Sequence, residues 1–335
     1  MTALLEVRDL KVRFRAKPAL RAFINRDPNV WVDAVCGVSL DIAEGETFGL
    51  VGESGSGKTT LARAIIGLVD VAGGTIRFAG QKINGLSHQA MKPVRRNIAM
   101  MFQDPIGSLS PRLTVRSLVT EPYRIHGFNN RYRDAECRRL LGMVGLPADF
   151  AERYPHQLSG GQARRVGVAR ALALDPRLIL ADEPTAGLDV SVQGEILNLL
   201  AKLQDEIGLS ILMVTHNLNV VRHVTNRVAI MYLGRFVETG ATEEIFRQPR
   251  HPYTAALLSA NPEPDPDARS ERIELAGDVP SLLRRPAGCE FHTRCFRAQS
   301  CCRDAAPAVT VEAKARLYTC HFPLGLDHDV RDNAA

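Results

Sequence analysis

The run Gly52-Glu53-Ser54-Gly55-Ser56-Gly57-Lys58-Thr59 carries the clearest chemistry in this chain. It fits G-x-x-x-x-G-K-[ST], with a β-type stretch (46–51) before it and a helix-like stretch (60–68) after it, the context this pattern requires. Glycines let successive backbone N–H groups converge on phosphate oxygens, and the start of a helix adds partial positive charge. Lys58 is placed to reach the β- and γ-phosphates of a nucleotide, and the Thr59 hydroxyl to hold Mg²⁺. The bland alternative is a glycine-rich turn with a solvated lysine. The strand–loop–helix setting speaks against it.

Two further segments complement this loop. Leu178-Ile179-Leu180-Ala181-Asp182-Glu183 is an apolar strand ending in two carboxylates, which places both at the carboxyl edge of a sheet, where α/β proteins bind ligands. Asp182 suits Mg²⁺. Glu183 sits where it can orient or deprotonate a water beside the γ-phosphate. Leu158-Ser159-Gly160-Gly161-Gln162, followed by a helix-like run (163–174), leaves N–H groups free for another anion. Standing alone it reads as a helix cap. One site seldom needs two glycine loops, so the simplest arrangement is a head-to-tail dimer in which each loop completes the partner's site.

The elements that must position these residues alternate along the chain. Strands are predicted at 46–51, 178–181, 210–214 and 228–232, and helices at 60–68, 163–174 and 195–206, the last with apolar residues at 196, 199, 200 and 203. Buried strands separated by helices imply an α/β fold with a mainly parallel sheet. Between Gln103 and Leu158 no strand is evident and 131–144 is helical and charged, which reads as a helical insertion. Residues 15–32 read as a surface loop. Beyond about 248 the prolines Pro249, Pro252, Pro262, Pro264, Pro266, Pro280 and Pro286 break any long helix, with a linker at 261–270 and a cysteine-rich tail after it.

Composition bounds the function classes. The 335 residues are 45% apolar and 24% charged, ordinary for a folded soluble protein and unlike a disordered or fibrous chain. The balance of 42 basic and 37 acidic side chains, 42 − 37 = +5, is too mild to argue for nucleic acid. No apolar run approaches the roughly 18 residues of a membrane span. The N-terminus shows no secretory signal, so a cytoplasmic protein is expected.

Taken together, the phosphate loop, Gln103 in Met101-Phe102-Gln103-Asp104-Pro105, Leu158-Ser159-Gly160-Gly161-Gln162, Asp182-Glu183, Gly187-Leu188-Asp189 and His216 occur in an order and spacing that resembles the ABC-transporter ATPases, over residues 4 to about 250. The resemblance implies a P-loop ATPase domain at 1–255, with a mainly parallel core, an antiparallel β part and a helical subdomain at about 104–165. It also implies two ATP molecules sandwiched between two such domains. Nucleotide contacts are implied for Gly52, Ser54, Gly55, Ser56, Gly57, Lys58, Thr59 and Thr60, and Mg²⁺ contacts for Thr59, Gln103 and Asp182. Glu183 is the implied catalytic carboxylate, His216 the γ-phosphate partner, and Gln103 the sensor of Mg²⁺ or water. Ser159, Gly160, Gly161 and Gln162 address the partner's ATP, and Asp189 communicates across the interface. An aromatic usually stacks on adenine; Phe14 fits by position and Trp31 is its rival.

Other segments resemble the dipeptide/oligopeptide/nickel importer branch: Ser108-Leu109-Ser110-Pro111-Arg112, Tyr154-Pro155-His156-Gln157, His251-Pro252-Tyr253-Thr254 and the cysteine tail, with details closer to the second ATPase of the usual pair. The expected partners follow: a paralogous ATPase subunit (heterodimer, or else homodimer), two integral membrane permease subunits docking on the groove at 103–125, an extracytoplasmic solute-binding protein indirectly, and no nucleic acid. The expected location is peripheral, on the cytoplasmic side of the inner membrane. Peptides are the expected cargo, with nickel or a glutathione-like solute as alternatives. A soluble ABC ATPase acting on DNA or ribosomes is the second function class; it usually has two cassettes or a long coiled coil, and neither is present here.

The last chemistry lies in the tail, 256–335. Cys289-x5-Cys295-x6-Cys302 and Cys320 supply four thiolates, the number a [4Fe–4S] cluster needs. Zinc is the alternative, with His292 or His321 able to replace one thiolate. Cys301, adjacent to Cys302, is read as a bystander. Reduced cysteines packed in a small domain are the third reading.

Overall fold

The computed structural model describes residues 3–15, 31–104, 107–128, 133–260 and 272–326. The surface loop expected at 15–32 falls largely outside them, as do the linker 261–270 and Pro105 of the groove segment. The larger sheet is built on β3 (Thr47–Val51), β6 (Ile98–Met101), β7 (Leu178–Asp182), β8 (Ser210–Thr215) and β9 (Arg227–Tyr232). These five pair in parallel in the order β9-β3-β8-β7-β6. The strands β3, β7 and β8 are buried at every position, as parallel strands covered on both faces must be.

The period-2 alternation of each strand deals its side chains to two cores. Leu178, Leu180, Leu212 and Val214 join one cluster with Leu61, Ile65 and the strands of a second sheet. Ile179, Ala181, Ile211 and Met213 join another, with Val166, Leu172, Leu140 and Leu118 of the helical segment. The second sheet is antiparallel, of order β2-β1-β4-β5: β1 (Ala3–Arg15), β2 (Trp31–Ala43), β4 (Gly73–Phe78) and β5 (Gln81–Lys82). Between 103 and 158 the described residues form helices and no strand, chiefly Val115–Val119, Glu121–His126 and Arg133–Met143.

The described part of the C-terminal tail is built into the main sheet and does not hang from it as a separate cysteine-rich unit. Strand β10 (Arg235–Ala241) pairs antiparallel with β9, and β12 (Arg316–Tyr318) pairs with β10 and with β11 (Thr310–Glu312). The reason is electrostatic as well as apolar. Buried Glu238 of β10 accepts from the backbone N–H groups of Arg250 and His251 at 2.8 and 3.0 Å and pairs with Arg316 of β12. Phe291 packs edge-on against Tyr232 of β9, ring centroids 5.3 Å apart.

Candidate nucleotide site

The phosphate loop leaves the carboxyl end of β3 and enters the helix Lys58–Ile65. Two glycines are dictated by crowding. A Cβ on Gly52 would lie 2.1 Å from the Met231 carbonyl oxygen, and one on Gly57 2.4 Å from that of Ala34, where φ is also +105°. The buried Lys58 ammonium folds back along the loop, donating to the carbonyls of Gly52 and Glu53 at 2.7 and 2.8 Å and to Ser56 Oγ at 3.2 Å. Burial lowers its pKa, opposed by the charges of Glu183, Asp182 and Glu53.

Both carboxylates meet this loop as their strand position requires. Thr59 Oγ1 donates to Asp182 Oδ1 at 3.1 Å. Burial pushes the Asp182 carboxyl up, against that hydrogen bond. A hydroxyl and a desolvated carboxylate side by side at a helix start are a donor set that fits a hard divalent cation, whose charge would relieve that desolvation. Glu183 follows at φ +49°, its N–H donating to Val214 O at 2.8 Å. Gln103 Nε2 donates to Glu183 Oε2 at 2.7 Å, and His216 Nδ1 lies 2.9 Å from Glu183 Oε1. The three polar residues therefore converge on one point beyond the sheet edge, from β6, β7 and β8.

The second glycine segment stays within its own turn. Ser159 caps the helix Gly160–Leu172, its Oγ accepting from Gln162 N at 3.3 Å while Gln162 Oε1 accepts from Ser159 N at 3.0 Å. Asp189 likewise caps the helix Val190–Ile207 through Val192 N at 2.9 Å. Neither segment is tied to the phosphate loop of the same chain by these bonds. Phe14 and Trp31 lie on the paired strands β1 and β2, 41% and 46% exposed, with the Arg15 guanidinium 5.3 Å from the Trp31 ring centroid.

Three residues without an expected site role hold the site together. Arg164 is buried and donates to Gln103 O at 3.2 Å and Ala186 O at 2.8 Å, joining the segments that carry Gln103 and Glu183. Its place two residues after Gln162 was a visible signal, since a lone arginine in an apolar helix face needs acceptors. Tyr253 Oη accepts from Glu53 N at 3.0 Å, and Arg294 pairs with the Glu53 carboxylate. No sequence signal connects those two positions to residue 53.

Burial raises the pKa of Cys289, Cys295 and Cys320, the last to about 12, and the sulfurs of Cys289, Cys295 and Cys302 reinforce the shift at Cys320. Cys289 N donates to Cys302 O at 2.8 Å, and Cys289 and Cys295 pack against one apolar cluster. Among the described residues, however, no three His, Cys, Asp or Glu side chains are gathered so as to hold a metal ion. His292 Nδ1 and His321 Nε2 are engaged with the carbonyls of Cys289 and Ala305. No helix among the described residues is long and apolar enough to cross a membrane.

The comparisons with known proteins agree with this geometry. The ABC transporter family profile matches residues 35–186, and the profile for the oligopeptide/dipeptide transporter C-terminal region matches 237–302. The chain is similar to the oligopeptide transport ATP-binding protein AppF of Bacillus subtilis, 45% identical over 323 residues, 95% of this chain and 97% of that protein. It is 46% identical to OppF of Salmonella typhimurium over 310 residues, 91% of this chain and 92% of that one. Among solved structures, the ATP-binding cassette MJ0796, a dimer bound to ADP and Pi, superposes with a TM-score of 0.62 at 31% identity, covering 71% of this chain and 98% of its own. The cbiO1 subunit of the Clostridium perfringens transporter complex cbiONQ gives 0.63 at 27% identity, covering 74% and 92%.

Proposed function

Because the chain belongs to the oligopeptide-transport ATP-binding proteins of the ABC transporter family, we propose that it binds ATP with Mg²⁺ and hydrolyses it to energise import of peptides through a membrane permease. The observation that carries this reading is the Glu183 carboxylate, held by Gln103 at 2.7 Å and His216 at 2.9 Å, one residue past the Asp182–Thr59 contact.

The backbone and side chains of Gly52, Ser54, Gly55, Ser56, Gly57, Thr59 and Thr60 cradle the phosphates, and Lys58 exchanges its loop carbonyls for phosphate oxygens. Thr59, Asp182 and Gln103 hold Mg²⁺, which when bound offsets phosphate charge. Glu183 accepts the proton of the attacking water, aligned by Gln103, and His216 donates to the γ-phosphate. Ser159, Gly160, Gly161 and Gln162 cap the partner subunit's ATP, with Asp189 beside the interface. Phe14, over whose ring no cation lies among the described residues, stacks on adenine. The partner is a paralogous ATPase, or a second copy of this chain.

A cavity of about 310 Å³ between the α/β core and the helical segment supports permease docking. Its lining mixes apolar Leu109, Pro122 and Ile125 with cationic Arg95, Arg96 and Arg170, a groove suited to a short helix from a membrane subunit. The protein then works peripherally on the cytoplasmic face of the inner membrane, fed by an extracytoplasmic solute-binding protein. A DNA- or ribosome-directed ATPase is not favoured. For the tail, the finer reading is a [4Fe–4S] cluster on Cys289, Cys295, Cys302 and Cys320, with zinc as alternative. The soft thiol set fits either, but the side chains must turn toward one another to form the cage, and no catalytic step is assigned to a metal.

The test is transport. The complex reconstituted in vesicles should accumulate peptide only with ATP and its binding protein. Uptake of nickel or glutathione and none of peptides would overturn the cargo, and absence of ATP hydrolysis would overturn the whole reading.

A further inference from the structure

The phosphate loop carries a carboxylate of its own. Glu53 follows Gly52 directly, and its charge reaches Lys58. A fixed negative charge inside a phosphate cradle opposes binding of an anionic ligand unless it is neutralised. The neutralising group comes from the cysteine tail. Arg294, 241 positions away, sets Nη1 at 2.7 Å and Nη2 at 3.0 Å from the two oxygens of Glu53. Its side chain is 7% exposed. A guanidinium engaging both oxygens fixes direction as well as charge.

The same turn also supports the loop backbone. Arg294 N donates to Phe291 O at 3.0 Å, and the Phe291 ring packs against Tyr253 at 5.3 Å between centroids. Tyr253 Oη in turn accepts from Glu53 N at 3.0 Å. One turn, flanked by Cys289 and Cys295, thus holds the Glu53 side chain through Arg294 and, through Phe291, backs the Tyr253 that holds its main chain.

We propose that Arg294 is a positioning residue for nucleotide binding: it cancels the Glu53 charge, turns that carboxylate away from the phosphates, and makes the affinity for ATP depend on the cysteine tail. The proposal rests on the reading of residues 52–59 as the ATP site. It assigns the tail a part in the ATPase cycle without any metal.

The experiment is equilibrium binding of Mg·ATP to the full-length chain. Arg294→Met keeps the buried stem and removes the charge, and should weaken binding about tenfold, within the range of couplings between contacting residues. Adding Glu53→Gln to Arg294→Met should restore most of that loss, because the repelling charge goes with it; a merely structural role for Arg294 predicts no such rescue. Arg294→Lys, one ammonium for a two-pronged fork, should lose about threefold. Affinity of Arg294→Met within twofold of wild type, or a double variant as weak as the single one, overturns the proposal. Should Arg294→Met not fold, Arg294→Lys carries the test, and wild-type affinity there overturns it. A wild-type chain that binds no ATP would instead overturn the underlying site.

Discussion

Glu183 and Gln103 stand 80 positions apart in the chain and meet through a 2.7 Å hydrogen bond. The bond spans the neighbouring parallel strands β6 and β7, whose carboxyl ends lie at the same sheet edge. Gln103 leads directly into the helical segment, so the carboxylate read as the water activator is mechanically attached to the surface read as the permease dock.

The first expectation concerns that carboxylate. Glu183→Gln keeps the hydrogen-bonding shape and removes the proton acceptor. ATP binding should persist, while phosphate release by the assembled complex falls by about 10²-fold or more. Size-exclusion chromatography should show an ATP-bound dimer accumulating. Turnover near the wild-type rate would remove Glu183 from the chemistry.

A second expectation concerns the groove. Ile125 is 55% exposed beside Leu109 and Pro122. Ile125→Glu puts a desolvation cost into any interface formed there. Peptide uptake by vesicles should drop several-fold, while Mg·ATP binding by the isolated chain stays within twofold. Undiminished uptake after charge substitution at Leu109 and Ile125 together would relocate the dock.

Acid stability offers a third. His251 is buried, caps the helix Pro252–Ser259 by accepting from Tyr253 N, and is driven by desolvation to about 3 from 6.5. Between those values the unfolded chain holds one more proton than the folded one, so stability falls as pH falls, by about 1.4 kcal/mol per pH unit at most. Asparagine can keep the cap without titrating. His251→Asn should flatten the dependence of urea-unfolding stability between pH 6 and 4. An unchanged slope would show that other groups control acid sensitivity.

The tail supplies a fourth. Anaerobic purification should yield a brown protein absorbing near ~400 nm with about four irons per chain if the four thiolates assemble a cluster. One zinc in a colourless protein would decide for the alternative, and a metal-free chain that still binds ATP normally would leave the tail's role to packing and Arg294.

Much of the site was legible in the sequence because its parts are local. The phosphate loop from Gly52 to Thr59 and the Asp182–Glu183 strand end are runs of adjacent residues, and strand–loop–helix context fixes where their groups point. The buried runs at 178–181 and 210–214 announced a parallel sheet, since only strands covered on both faces are apolar throughout. Strands β1 and β2 are not among the predicted strands although Leu10 to Phe14 and Val38 to Ile42 alternate; register shifts near Val7, Leu10 and Val12 confine that alternation to short runs. The contacts that only the tertiary structure decided join residues remote in the chain. Arg164 ties Gln103 to Ala186, Tyr253 and Arg294 close on Glu53, and Glu238 recruits Arg316 to the main sheet. Arg164 at least follows Gln162 closely, but nothing in the sequence around Tyr253, Arg294, Glu238 or Arg316 points to its partner. What selects it is the cost of leaving a charge or an N–H group unpaired once the sheet has buried it, and that cost exists only after the chain has folded.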